Sequence, residues 1–262
     1  VPPIAVILAR AGSRGVPGKN AAIVGGRPCI AWTIDAALAA TSLRRVVVST
    51  DGEDLQRIAL EMGADVVARP ADLAGDTAPV DAAARHAVRS LEAAPQAKER
   101  ERSAEQGEPG RGKEMPGPIV VLYANVPVRP PGLIDRAVAM LADTGADSVQ
   151  SYSPVGKHHP YWTARVDPRT GRVRPWEGDV LNRGVYRRQD LPPAFVPDGG
   201  VLVVTRPALF LELPGIAPGP HAFLGREDRR RGIVNEEGSV VDIDAPIDLL
   251  VADAVLRRQQ TV

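Results

Sequence analysis

Three cations fall close together in the stretch ARAGSRGVPGKN (residues 9–20): Arg10, Arg14 and Lys19. Between them stand Gly12, Gly15 and Gly18, evenly spaced three apart. Glycine lets backbone N–H groups approach an anion closely, Arg can bridge two phosphate oxygens, and Lys supplies a point charge. A loop of this kind suits phosphate; the alternative is a flexible, solvated basic loop. It matches neither of the common fingerprints. A dinucleotide loop needs Gly-x-Gly-x-x-Gly, and a Walker loop needs Ser or Thr after Gly18-Lys19, where this chain has Asn20. A second candidate is VDID, in which Asp242 and Asp244 flank Ile243. On a strand, residues two apart face the same side, and two carboxylates on one face are costly unless a cation lies between them. The alternative for Asp244 is a helix N-cap ahead of Pro246.

The elements that must position these residues follow from hydrophobic spacing. IAVILA (4–9) is a short apolar run that reads as a buried parallel strand leading into the glycine-rich turn. RPCIAWTIDAALAA, opened by Pro28, reads as a helix, RRVVVST (44–50) as a strand, and GEDLQRIALEMG (52–63) as an amphipathic helix stopped by Gly63. Strands are expected at 64–69, 119–125 and 146–152, and helices at 80–91 and 132–143. Alternating strands and helices imply a parallel sheet covered on both faces, with ligands bound beyond the carboxyl ends of the strands. The first loop, the turn at Asp51 and the turn after Asn125 gather there. Beyond them, 163–176 reads as a hairpin around Asp167–Gly171, the stretch to about Val196 as an inserted arm, 199–205 as a strand, and 239–258 as strand, turn and terminal helix. The mixed-charge stretch 93–118, rich in Pro and Gly, reads as a flexible surface loop. The whole chain, 1–262, is expected to form a single domain.

Composition narrows the partners. Lys plus Arg and Asp plus Glu are both 32, so the net charge is zero, which argues against a nucleic-acid or anionic-membrane binder. No apolar run approaches a membrane span, IAVILA is short for a signal peptide's core, and the single Cys29 has no internal partner for a disulfide. A cytoplasmic protein is expected.

ILARAGSRGVPGKN resembles the signature loop of the acylneuraminate cytidylyltransferases. GGRPCIAWTIDAAL, VVVSTDGEDLQRIALEMGADVVARPADLAGDTA and VVDIDAPIDLLVADAVL are similar to further blocks of that family, in order. KHHPYW and RRQDLPPAFVPDGGVLVV also have counterparts there. The resemblance implies a Rossmann-like, three-layer α/β fold of the nucleotide-diphospho-sugar transferase type, with a mainly parallel sheet and a small inserted arm at about 155–195. It implies a Mg2+-dependent enzyme that transfers CMP from CTP to the anomeric hydroxyl of a 2-keto-3-deoxy nonulosonic sugar, releasing pyrophosphate. Ala9, Arg10, Ala11, Gly12, Ser13, Arg14, Lys19 and Asn20 would wrap CTP, with Arg10 and Lys19 acting in catalysis. Arg14 stands where the family usually has Lys. Asp242 and Asp244 would hold the magnesium ion and act in catalysis. Arg69 and Asp76 would lie near the base and ribose, although Arg69 could pair with a surface carboxylate and Asp76 could cap the following helix. Asp51 reads first as a cap for the helix after it. Arg188, Gln189 and Phe195 would meet the acidic sugar. His158 and His159 read as structural, and the run Arg229–Arg231 as a solvated face. A homodimer, with the arm reaching the partner's site, is also implied.

The resemblance weakens after the fourth strand. Where the family usually has Leu-Gln-Pro-Thr-Ser-Pro-Leu-Arg, this chain has Leu122-Tyr123-Ala124-Asn125-Val126-Pro127-Val128-Arg129. Tyr123 replaces a Gln that contacts the sugar, Asn125 stands where related octulosonate enzymes carry an acidic metal ligand, and Asp198 replaces a common Asn. All three sit in the expected acceptor pocket, so the acceptor need not be N-acetylneuraminate. A KDO-like sugar, a phosphonate, a different nucleotide, or a non-catalytic nucleotide-binding homologue are the alternatives.

Overall fold

The computed structural model describes residues 1–93, 117–217 and 219–260. The charged segment read above as a flexible loop lies, for residues 94–116, outside the described residues.

The strands are β1 (Ile4–Leu8), β2 (Ile23–Val24), β3 (Arg27–Pro28), β4 (Arg45–Thr50), β5 (Asp65–Ala68), β6 (Ile119–Tyr123), β7 (Ser148–Pro154), β8 (Ala164–Val166), β9 (Val173–Pro175), β10 (Phe195–Val204) and β11 (Arg230–Val234). The α-helices are α1 (Cys29–Leu38), α2 (Glu53–Glu61), α3 (Val80–Ala93), α4 (Leu133–Thr144), α5 (Arg206–Leu209) and α6 (Pro246–Gln260). Seven strands form one sheet in the order β11-β7-β10-β6-β1-β4-β5. β1 pairs in parallel with both β4 and β6, β4 with β5, and β11 with β7, while β10 runs antiparallel between β6 and β7.

The central strands are buried on both faces because helices cover both, which is why IAVIL carries no polar alternation. On one face Ile30 and Ile34 of α1, Leu55 and Ala59 of α2, and Leu133, Ala137 and Leu141 of α4 pack on Ala5, Ile7, Val48 and Leu122. On the other, Ala83, Ala87 and Val88 of α3 and Ala208 and Leu209 of α5 pack on Ile4, Val6, Val47 and Val121. A third cluster joins the first loop to the C-terminal helix: Val16, Val24, Cys29, Val128, Val241, Ile243, Ala252 and Leu256. It docks α6 beside the mouth of the sheet.

The expected strands and helices of the first 152 residues fall where their spacing put them, and Gly63 ends α2 with φ +84°. The 163–176 hairpin is the antiparallel pair β8–β9. The expected strand at the start of 239–258 is not one: beyond a single bridge at Val128–Val241, residues 242–244 join no strand, and Ile243 N donates to Asn125 O at 2.9 Å. The Arg229–Arg231 run is more than a solvated face. Arg230 and Arg231 open the edge strand β11, Arg229 and Arg226 pair with the buried carboxylate of Asp147, and Arg230 Nη2 donates to Gly225 O.

Because β10 is reversed, its N-terminal end lies at the same rim as the carboxyl ends of the parallel strands. Its register slips between Pro197 and Leu202, so Asp198, Gly199 and Gly200 bulge at that rim.

Candidate active site

The glycine-rich loop leaves β1 and turns back along the rim. Ala9 N donates to Ser49 O at 3.0 Å, continuing the alignment of β1 with β4. Ala11 N donates to Asp51 Oδ1 at 2.8 Å. Asp51 therefore holds the loop rather than capping α2, whose N-cap is Gly52 without a side-chain bond. Gly12 and Ser13 follow at the surface. The loop is closed from below by Asn20, only 5% exposed, whose Nδ2 donates to Arg10 O at 2.8 Å. Asn20 Oδ1 is buried and has no hydrogen-bond partner among the described residues.

The loop's cations turn to carboxylates at either end. Arg10 Nη1 reaches Asp76 Oδ1 at 2.6 Å, and Arg14 Nε pairs with Asp76 Oδ2. Lys19 Nζ donates to Asp244 Oδ1 at 2.8 Å and to Ile243 O at 2.6 Å. This Lys19 bond brings the first loop to the 242–244 segment, more than two hundred residues away in sequence. Gly15 allows the approach, since a Cβ there would lie 2.3 Å from Asp244 O. Arg69 is 9% exposed and donates to Ser49 O at 2.7 Å and Ser49 Oγ at 3.2 Å, with no carboxylate bonded to it; burial lowers its pKa.

Asp242 and Asp244 occupy unlike surroundings. The Asp244 side chain is 74% exposed, whereas Asp242 is half-buried beside the turn after β6. Burial first, and Asp244 second, push the Asp242 carboxyl up to about 6, against the pull of Lys19. Asn125 Nδ2 donates to Asp242 Oδ1 and, at 3.3 Å, to Ile243 O. Among the described residues no cluster of three or more His, Cys, Asp or Glu side chains forms a ready metal site. Two carboxylates two residues apart still suit a hard cation such as Mg2+, which takes one or two carboxylates and completes its shell with waters and substrate phosphates. The mutual strain on Asp242 and the ammonium already drawn to Asp244 mark the place as one that favours positive charge.

The other side of the cleft is built on Arg129. It is half-buried beneath the rim and donates to Gly200 O at 2.8 Å, Tyr123 O at 3.0 Å, Thr33 Oγ1 at 2.8 Å and Val126 O. Burial drives its pKa down to about 10. Thr33 Oγ1 lies 3.2 Å from Tyr123 O and 3.1 Å from Val126 O, so its one proton serves one or the other of the same two turn carbonyls. Neither residue stood out in the sequence. An Arg set between Val128 and Pro130 in a segment otherwise fit for burial was the available signal. Tyr123 is half-buried with its pKa raised by burial and then by Asp242. Asp198 accepts from Ser151 Oγ, Ser153 Oγ (2.9 Å), Asn235 Nδ2 (2.8 Å) and Gly200 N (2.9 Å), so its carboxylate holds the β10 bulge. Asn235 was also unforeseen.

The arm residues stand apart. Arg188 pairs with Glu237 at 2.5 Å, both more than half exposed. Gln189 is exposed, and Phe195 is 46% exposed at the start of β10. None is bonded to the loop or the aspartates. His159 is buried and structural: Nδ1 accepts from Tyr161 N, and Nε2 lies 3.0 Å from Pro192 O.

A phosphate-suited loop, a paired-aspartate segment and a mainly parallel, three-layer sheet together define a nucleotidyltransferase of the nucleotide-diphospho-sugar transferase fold. The solved structure of CMP:2-keto-3-deoxy-manno-octonic acid synthetase complexed with CTP superposes with a TM-score of 0.63 at 16% identity, over 99% of this chain and 100% of that one. Residues 4–94 match the family model described as cytidylyltransferase. Over those residues the chain belongs to the cytidylyltransferase family. CMP-N,N'-diacetyllegionaminic acid synthase of Legionella pneumophila is 29% identical over 261 residues, covering 98% of this chain and 97% of that protein. N-acylneuraminate cytidylyltransferase of Streptococcus agalactiae is 30% identical over 208 residues, covering 77% of this chain; the chain spans only 43% of that longer relative. No helix among the described residues is long and apolar enough to cross a membrane.

Proposed function

We propose that this enzyme transfers CMP from CTP to the anomeric hydroxyl of a nonulosonic, sialic-acid-like 2-keto acid sugar, releasing pyrophosphate. The observation that carries this reading is the Lys19 bridge, which closes the phosphate-suited loop onto the Asp242–Asp244 segment and makes one site of the two. The names of the legionaminate and N-acylneuraminate relatives support the acceptor class.

In this reading Arg10, Arg14 and Lys19 exchange their carboxylate partners for phosphate oxygens and neutralise the departing pyrophosphate. Preorganised cations of this kind act where charge develops, in a transfer governed by positioning. Asn20 Oδ1, buried without a partner among the described residues, is an acceptor for a nucleotide N–H or O–H group. Asp242 and Asp244 would hold Mg2+, which when bound draws electron density from phosphate oxygens. Arg69 and Asp76 line the nucleotide side, Asp76 through the loop's arginines. Tyr123 and the Asp198–Gly200 bulge line the acceptor side, with Asp198 setting the bulge rather than touching sugar.

The chain is further proposed to act as one cytidylyltransferase unit, in the cytoplasm, and as a homodimer through the 155–195 arm. Support for the last is the arm's exposed apolar surface: Trp176 is 54% exposed, Val180 62% and Tyr186 83%. A patch of this kind marks an interaction surface. Arg188, Gln189 and Phe195 would then serve a site that two copies complete.

The test is pyrophosphate release from CTP and Mg2+ with a panel of 2-keto acid sugars of eight and nine carbons. Release with a nine-carbon acid is expected. Release only with an eight-carbon acid would overturn the acceptor class, and silence across the panel together with no CTP binding would overturn the function.

A further inference from the structure

Asn125 stands at the apex of the turn after β6, where the aspartate segment meets the sheet. Its Nδ2 serves Asp242 Oδ1 and Ile243 O, and its own backbone O accepts from Ile243 N at 2.9 Å. An amide offers two N–H groups, and here both face acceptors of one neighbouring segment, which fixes the orientation of the amide. Asp242 Oδ2 looks the other way, 3.4 Å from where a Cβ on Gly199 would stand, so it faces the β10 bulge. Gly199 has φ +73°, and the absence of a side chain keeps that approach open.

The turn that carries Asn125 is braced independently. Arg129 and Thr33 grip the carbonyls of Tyr123 and Val126 on either side of it, and Val241 N donates to Val128 O at 3.3 Å beyond it. A turn so braced transmits its position to whatever Asn125 holds. The residue type matters as well. A carboxylate at this place would add a third negative charge beside Asp242 and Asp244, and an ammonium would compete with a divalent cation. A hydroxyl has one proton and cannot donate to both acceptors at once. The amide donates twice and leaves the local charge unchanged.

We propose that Asn125 is a positioning residue for cation binding: it occupies Oδ1 of Asp242 and presents Oδ2 as the one oxygen this carboxylate offers to the cleft. It acts through Asp242 and does not itself touch substrate. The inference rests on the reading of Asp242 as a cation ligand.

The test uses Mn2+ as the probe, titrated into the full chain with CTP present and followed by the electron paramagnetic resonance signal of free Mn2+. Wild type, Asn125→Leu, Asn125→Ser and Asp242→Ala are compared, and CTP binding without metal is measured for each. Partners that orient a metal ligand typically contribute about 10–100-fold to metal affinity. Both Asn125 variants are expected to weaken Mn2+ binding by about tenfold or more, while CTP binding without metal stays at the wild-type level. If one variant does not fold, the other gives the reading. Wild-type Mn2+ affinity in a folded Asn125 variant, with binding lost in Asp242→Ala, would overturn the inference. Equal losses of Mn2+ and CTP binding would also overturn it, since they report a merely structural residue. Mn2+ binding untouched by Asp242→Ala would instead overturn the cation reading beneath it.

Discussion

On the side of the cleft proposed for the nucleotide, the loop and its neighbours hold one another: Arg10 and Arg14 on Asp76, Asn20 under Arg10, and Asp51 on Ala11. On the side proposed for the acceptor, the framework is held by Arg129, Thr33, Ser151 and Asn235, while Tyr123 and the Gly199 bend lie beside Asp242. In the first arrangement Arg10, Arg14, Asn20 and Asp51 each have a partner to lose. The second leaves its lining replaceable over a fixed frame. The match of residues 4–94 to the family model includes the first loop, Asp51 and Asp76, and the departures at Tyr123, Asn125 and Asp198 lie outside it. Under the proposed function, the contrast would assign reaction type to the loop and acceptor choice to the turn after β6.

The contrast is most exposed to test at Asp242, which lies between the two sides. Asp242→Ala is expected to lower kcat/KM by about 10²–10³, measured by pyrophosphate release, with the fold retained by circular dichroism. Removing the frame should cost stability first. Arg129→Met leaves several buried carbonyls without their donor and is expected to destabilise the fold by about 2–4 kcal/mol, seen as a lower midpoint in urea. A smaller loss there would mean that the frame is held elsewhere.

The raised Asp242 pKa gives a third test. A carboxyl whose folded pKa, about 6, exceeds its unfolded value binds its proton more tightly when folded. In metal-free buffer its contribution to stability is therefore full at low pH, falls as pH rises from near 4 to about 6, and is constant above that. Asp242→Asn should flatten this part of the profile, and urea midpoints across the window measure it. The smallest effect is expected at the lining. Tyr123→Gln should change the acceptor's KM by about tenfold or less while leaving the KM for CTP as in wild type. A change in CTP affinity would break the division between the two sides.

The same contrast explains what the sequence disclosed. The strands and helices of the first half carry unbroken apolar runs or clean helical stripes, and their positions followed from those. β11 was hidden because RRGIV begins with two arginines, whose guanidinium groups serve nearby backbone carbonyls while Ile233 alone is buried. The 239–243 segment carries the alternation of a strand, but Val241 makes only one bridge and Asp242 and Ile243 are held by Asn125 and Lys19 instead of by a neighbouring strand. The loop's position after β1 and its run of cations and glycines were legible from local spacing. The roles of Arg129, Thr33 and Asp51 were not, because each depends on carbonyls or amides brought near by pairing across the sheet, and nothing in their own neighbourhoods records it. Asp76 was visible as a candidate, but its pairing with Arg10 and Arg14 required the fold.

The most direct measurement is a competition. The enzyme is given equal amounts of CTP, UTP, GTP and ATP, Mg2+ and a mixture of 2-keto acid sugars, and the products are resolved by mass spectrometry alongside pyrophosphate. The account predicts CMP joined to a nine-carbon acid, with one pyrophosphate for each conjugate formed. A conjugate bearing another base, or nucleotide consumed with no sugar conjugate at all, would contradict it.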